Sequence, residues 1–236
     1  MDQIFFNGKV RTLDDDNRIA DAIGVKDGKI AFIGSNIQAQ EFDCKEKIDL
    51  GGRLLLPGFV DSHLHMLHYA FVEQSVKLFD CKSVEECLDR VKNKLEKQEG
   101  KKVSWLYCRG WNHENFDFPR YPHKDELDGV SSEIPIIMVR VCGHVAVCNS
   151  RGLELLKGIP QFPEIEKEVD LETGLIKENA VQFYYSILDA PSRTEVEDLI
   201  RLSMTKLNEA GFTGIQSDDL ASLPGKNWRR IIDSFR

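Results

Sequence analysis

The residues best suited to chemistry stand close together. His63 and His65, separated by one leucine, end the run Leu54-Leu55-Leu56-Pro57-Gly58-Phe59-Val60-Asp61-Ser62-His63-Leu64-His65. Successive side chains of a strand point to opposite faces, so a His-x-His pair at a strand end presents two imidazoles on one side. Imidazole is a zinc ligand, and two of them make half of a metal site. A single histidine beside a core is more often a satisfied core or surface residue. This pair differs in following an apolar stretch directly, with Asp61 two residues upstream on the histidine face. From there Asp61 could orient a ring or ligate the ion itself. His68, three residues on, reads as a rim residue at the start of a helix.

Such a pair needs a strand to hold it. Residues 54–60 fit a buried one, with Pro57 and Gly58 marking an irregular entry. The apolar residues 66–76 are expected to be helical. Ser83 and Glu86 form a capping box, Val84, Cys87, Leu88, Val91 and Leu95 follow at helical spacing, and Gly100 is the expected stop. Residues 103–108 read as a strand running into Arg109-Gly110-Trp111-Asn112-His113. A strand–helix–strand order implies a parallel pair with a right-handed crossover.

Farther on, residues 114–133 read as a long loop with a helical turn near 124–127. Residues 134–140 form a strand, and the chain breaks near Gly143. Asn149 or Ser150 can cap a short helix that Gly158 ends. A turn and strand over 170–177 deliver Glu178 to an apolar helix. Ser192 and Glu195 make a second capping box; the helix they open stops at Gly211, and a strand follows over 212–217. Strands and helices thus alternate from residue 54, which is the pattern of an α/β fold. Residues 1–53 differ. They read as short strands, with Asp27-Gly28 as a two-residue hairpin turn, and suggest a partial β-sandwich that needs a partner to bury its face. The expected division is therefore 1–53 and 54–236.

Composition narrows the classes. The net charge of −8 argues against nucleic-acid binding through a basic surface. No run is long and apolar enough to span a membrane, and Met1-Asp2-Gln3-Ile4 lacks the basic start and apolar core of a signal peptide. The six cysteines show no Cys-x-x-Cys spacing, so reduced core thiols in a cytoplasmic protein are expected.

An ordered set of motifs carries a resemblance. Asn7-Gly8-Lys9-Val10, Asp27-Gly28-Lys29-Ile30, the Leu56-to-His65 run and Gly110-Trp111 come first. Arg140-Val141-Cys142-Gly143-His144-Val145-Ala146-Val147, Asn149-Ser150 and Thr173-Gly174-Leu175-Ile176-Lys177-Glu178-Asn179-Ala180 follow. In this order they resemble the N-terminal part of metal-dependent amidohydrolases, in the amidohydrolase-3 or YtcJ-like branch that includes N-substituted formamide deformylases. The resemblance implies the N-terminal portion of a (β/α)8 (TIM) barrel preceded by part of a small β-sandwich. It implies that His63 and His65 ligate one or two divalent ions, zinc first, at the end of barrel strand 1. It makes Glu178 the candidate bridging acid, against the alternative of an acid that merely complements a helix N-terminus. Two further histidines and a proton-shuttle aspartate are expected beyond this chain, because His144 is its last histidine. Trp111 and His144 are candidate substrate contacts, with a core or lid role as the alternative for Trp111; His113 and His123 are expected in solvated loops.

The implied activity is hydrolysis of a C–N bond in an amide, formamide or cyclic amide by metal-activated water. The expected partner is a small-molecule substrate, with no nucleic acid and no membrane, and a homo-oligomer is possible. Two other readings stay open: a truncated, non-catalytic remnant or assembly module, and a metal-binding protein without hydrolase chemistry.

Overall fold

The structure, a computed structural model, describes residues 1–97 and 104–236. The expected stop at Gly100 and the expected strand start at Val103 lie outside the described residues. Two units form, one of Met1–Asp61 with Gly211–Gly214 and one of Ser62–Ala210 with Ile215–Arg236.

The first unit carries β1 (Gln3–Phe6), β2 (Lys9–Arg11), β3 (Ile19–Ala20), β4 (Ala22–Lys26), β5 (Lys29–Gly34), α1 (Asn36–Ala39), β6 (Glu46–Asp49), β7 (Leu54–Leu55) and β8 (Phe59–Asp61). One sheet runs β5-β4-β1-β6 and another β3-β2-β7. The β4–β5 hairpin turns at Asp27 and Gly28, whose φ values of 52° and 71° suit the two positive-φ positions of a type I′ turn. Ile4, Ala22 and Ala39 form a small core with Phe6, Phe32 and Phe42 packed against it.

The apolar run before the histidines is not one buried strand. Residues 56–58 separate β7 from β8, and Pro57 has no N–H to continue a ladder. β8 pairs with the strand Phe212–Ile215 in a two-stranded ribbon. Such a ribbon covers neither of its faces, and Phe59 and Val60 are 47% and 68% exposed.

The second unit contains α2 (Met66–Gln74), β9 (Val76–Lys77), α3 (Val84–Glu96), β10 (Leu106–Trp111), α4 (Lys124–Asp128), β11 (Ile136–Arg140), β12 (Val145–Cys148), α5 (Ser150–Lys157), α6 (Phe162–Ile165), β13 (Leu175–Lys177), α7 (Glu178–Ile187), α8 (Arg193–Glu209) and α9 (Trp228–Ser234), while β14 (Phe212–Ile215) belongs to the first unit in all but its last residue. Its sheet order is β13-β12-β11-β10-β9. β9, β10 and β11 are parallel, and β12 and β13 are antiparallel to their neighbours. The expected parallel pair exists, but β9 rather than the histidine-bearing stretch is the partner of β10 across α3. The alternation of strand and helix breaks at β11 and β12. Only residues 141–144 join them, whereas a parallel crossover needs a dozen or more residues. No closed barrel forms among the described residues.

Side-chain alternation divides the core. Leu106, Cys108, Ile136 and Met138 face α3 residues Val84, Cys87 and Val91. Tyr107, Ile137 and Val139 face α5 and α7, through Leu153, Leu156, Val181 and Tyr184. A third cluster joins α2, α8 and α9 through Leu67, Ala70, Val196, Leu199 and Ile231. Caps agree with the sequence in part. Ser192 and Glu195 close a full capping box. Ser83 accepts from the Glu86 N–H, but the Glu86 carboxylate takes the Lys82 N–H instead of the cap's own. Four cysteines are buried as expected; Cys142 is exposed and Cys44 half-buried. No helix among the described residues is long and apolar enough to cross a membrane.

Candidate functional site

His63 and His65 lie just beyond β8, in a bend that leads into α2, so strand alternation does not set their direction. Their rings nevertheless meet, perpendicular, with centroids 5.2 Å apart. Two imidazoles on one tetrahedral ion at Zn–N distances near 2.1 Å would have centroids about 5 Å apart. The pair therefore fits two ligands of a single ion. It is half a shell, since no group of three or more metal-capable side chains converges among the described residues.

What orients His65 was not singled out for that role in the sequence. Its Nδ1 lies 2.8 Å from Asp218 Oδ1. With Nδ1–H given to a carboxylate, Nε2 is the nitrogen left to bind an ion, as in the carboxylate–histidine–zinc arrangement. Asp218 follows β14, and the next residue anchors the assembly. Asp219 is 3% exposed. Its carboxylate accepts from the Leu67 N–H at 2.8 Å, the His68 N–H at 3.3 Å and the Ser222 hydroxyl at 2.6 Å, and also from the Ser217 hydroxyl. These amides open α2, where no intrahelical acceptor exists. A buried anion there satisfies the amides and complements the helix dipole. His65 is the N-cap residue of that helix, so Asp218 and Asp219 together fix the histidine and the turn that carries it. The signal in the sequence was an Asp-Asp pair directly after a strand.

Asp61, expected behind the histidines, is the last residue of β8 and half-buried. Glu178 is not brought to the histidine pair. Its carboxylate is turned to His144, 3.1 Å from Nδ1, and its N–H donates to the His144 carbonyl at 2.8 Å. Glu178 adopts φ +44°, the left-handed region, at the first position of α7. Held strain of that kind costs about 1–3 kcal/mol and clusters at functional positions. Trp111 is fully buried, and its indole N–H donates to the Met138 carbonyl at 2.8 Å. It packs in the core between the sheet and α3. His123 caps α4, accepting from the Asp125 N–H, and His113 meets Tyr121 edge to face with centroids 4.5 Å apart.

A cavity of about 320 Å³ lies in the same unit, lined among others by His68, Arg109, Cys142, His144 and Tyr185. The β11–β12 turn supplies two of these, and Gly143, at φ +80°, makes that turn. Burial first, and then the Arg109 charge, push the His68 imidazole below its ordinary value, against the opposing pull of Ser222 and Asp219. Burial raises the Tyr185 phenol, whose hydroxyl meets that of Tyr107. At Cys142, burial acts to raise the thiol, but the N–H groups of His144 and Val145 and the Arg140 guanidinium together hold it below its usual range.

Comparison with known proteins decides the family. The amidohydrolase family model matches residues 46–226. The chain belongs to the amidohydrolase family. It is 29% identical over 230 residues to YtcJ of Bacillus subtilis, a match that covers 94% of this chain and 43% of that protein. It is 27% identical over 245 residues to the N-substituted formamide deformylase of Arthrobacter pascens, covering 97% of this chain and 44% of that enzyme. An uncharacterized metal-dependent hydrolase from Pyrococcus horikoshii shares the fold, with a TM-score of 0.71 at 24% identity over 98% of this chain and 45% of that one. This family member thus spans a little under half the length of the relatives it matches.

Proposed function

We propose that this chain carries the first part of the metal centre of a hydrolase that cleaves a non-peptide C–N bond in an amide, formamide or cyclic amide. The observation that carries the reading is the His63–His65 pair, perpendicular at 5.2 Å, with His65 held by Asp218. Membership of the amidohydrolase family supports the reaction class, and the relative named as a deformylase supports an amide-type bond. His63 and His65 would hold a divalent ion, zinc first, as two of its ligands. When bound, such an ion lowers the pKa of a water to about 7 and polarises the amide carbonyl.

The chain's own residues have definable parts. Asp218 holds the His65 tautomer, and Asp219 holds the α2 turn beneath it. The cavity beside His68 and His144 receives the substrate. Glu178 is proposed as the bridging acid on its strained backbone alone, and reaching the histidines would require release from His144. The parallel β9–α3–β10 unit supports an incomplete (β/α)8 barrel over 54–236, with 1–53 as part of a composite sandwich. The relatives' length beyond the match is enough to supply more strands and the remaining ligands. Free thiols suit a reducing compartment such as the cytoplasm. A second reading, an assembly module, is favoured by one observation: β8 leaves Phe59 and Val60, on its two opposite faces, open to a partner.

Zinc stoichiometry of the purified chain, by mass spectrometry after loading and desalting, tests the ligands. Wild type should retain metal, and His63→Ala and His65→Ala should each lose it. Unchanged stoichiometry in either variant would remove that histidine from the site.

A further inference from the structure

Arg109 differs from several other arginines of its unit. Arg90, Arg120 and Arg140 each hold at least one carboxylate partner. Arg109 also sits on a strand of the central sheet and is half-buried, yet no carboxylate lies within 4.0 Å of its guanidinium among the described residues. A guanidinium does not shed its charge in a protein, and a partly desolvated cation without a counter-ion is costly. The groups that could have served are committed elsewhere. Glu178 is turned to His144, and Asp219 is spent on the start of α2. The Tyr185 phenol hydrogen-bonds the guanidinium but brings no charge to it, since burial raises that phenol.

The local backbone opens this cation to the cavity. β10 carries a bulge, with the register to β11 shifting between Arg109 and Trp111 around Gly110 at φ +110°. Bulges re-aim side chains beside functional sites. Across the gap, Gly143 offers no side chain; a Cβ there would stand 3.4 Å from Arg109 Nη2. The cavity of about 320 Å³ is within the range of small-ligand sites, and His68 on its wall is held toward its neutral form. A pocket with a guanidinium fork that meets a single neutral hydroxyl, no counter-ion among the described residues and room for a small molecule is arranged to take a planar oxyanion in two parallel hydrogen bonds.

We propose that Arg109 is the specificity-determining residue of this cavity and recognises a carboxylate carried by the substrate. The preferred substrates are then amides that bear a carboxylate, not neutral amides. This deepens the hydrolase reading and rests on it for the word substrate; the recognition itself is a binding property and is testable without turnover.

The test is a ¹H–¹⁵N titration of the metal-free full chain, followed at Arg109 Nε–H and the Gly143 N–H. The probes are N-formylglycine, its neutral carboxamide N-formylglycinamide, and acetate. N-formylglycine should bind about tenfold or more tighter than the carboxamide, because a charge-assisted pair replaces a neutral contact. That comparison needs no variant. Arg109→Gln should bring the two probes to parity, and Arg109→Lys should keep part of the preference, having the charge but not the fork. Equal or undetectable binding of both formyl probes overturns the proposal, as does a preference that survives Arg109→Gln intact. Acetate binding as tightly as N-formylglycine overturns the substrate specificity and leaves a bare anion site. Hydrolysis by the zinc-loaded chain or its longer form is scored separately. Carboxylate preference without metal or turnover sinks the hydrolase reading and leaves Arg109 standing. Turnover of neutral formamides without that preference does the reverse.

Discussion

Asp219 offers the sharpest test of how the site is held. Asp219→Ala removes a buried carboxylate from four donors, two of them main-chain amides at the start of α2. The serine hydroxyls can rotate to other acceptors. The amides cannot, because the first turn of a helix has no acceptor of its own. Each stranded amide costs about 1–3 kcal/mol, and losing the anion at a helix N-terminus adds up to about 2 kcal/mol. We expect a destabilisation of about 3–5 kcal/mol in urea unfolding for the alanine variant. Asp219→Asn keeps the volume and one oxygen, and should lose about half as much. Hydrogen exchange places the effect: the Leu67 and His68 amides should lose protection before those of β10 and β11. The same loosening should weaken zinc binding, since α2 carries His65 as its N-cap residue. A loss below about 1 kcal/mol with unchanged Leu67 protection would refute the claim that this carboxylate anchors α2.

Other expectations follow from single contacts. Asp218→Asn should lower zinc affinity about 10- to 100-fold with little change in stability, because it removes an orienting partner at an exposed position, and competition with a chelating dye reads this directly. Gly110→Ala should destabilise the chain by about 2 kcal/mol or more, since a Cβ there would come within 2.5 Å of the Phe79 ring and the φ of +110° disfavours any side chain; thermal melts check it. His68 bears on pH. Its folded value is depressed below the ordinary 6.5, so the unfolded chain binds more protons. Stability contributed by neutral His68 is therefore fully present above pH 6.5 and is lost as pH falls through that value toward the folded one. His68→Asn should flatten that part of the stability profile in urea titrations between pH 7.5 and 5, values spanning about one unit or more on either side of the ordinary histidine range. An unaltered slope would exclude His68 as the group.

Local patterns in the chain were legible where short-range physics decides. The Asp27-Gly28 turn, the Ser192–Glu195 box and the Asn149 cap involve residues within a few positions of each other, and each forms. The histidine pair was legible for the same reason. The rings meet because one residue separates them, even though the expected strand ended two residues earlier, at Asp61. Burial was less legible. Residues 54–60 are apolar enough for a core strand, yet exposure depends on what lies against the strand, and among the described residues β8 has a single partner strand.

Residue type and spacing alone thus determined the chemistry on offer: two imidazoles whose rings meet, and a family likeness that the match over residues 46–226 bears out. Tertiary structure alone decided which groups serve them. Asp218 reaches His65 from more than 150 positions away, and Asp219 spans the same distance to cap α2. The same packing withdrew Trp111 into the core and turned Glu178 to His144. It also left Arg109, without a carboxylate within 4.0 Å among the described residues, beside a cavity. The physical reason is common to all of them. A buried donor, acceptor or charge is settled by the partner that packing brings to it, and that partner is far away in sequence.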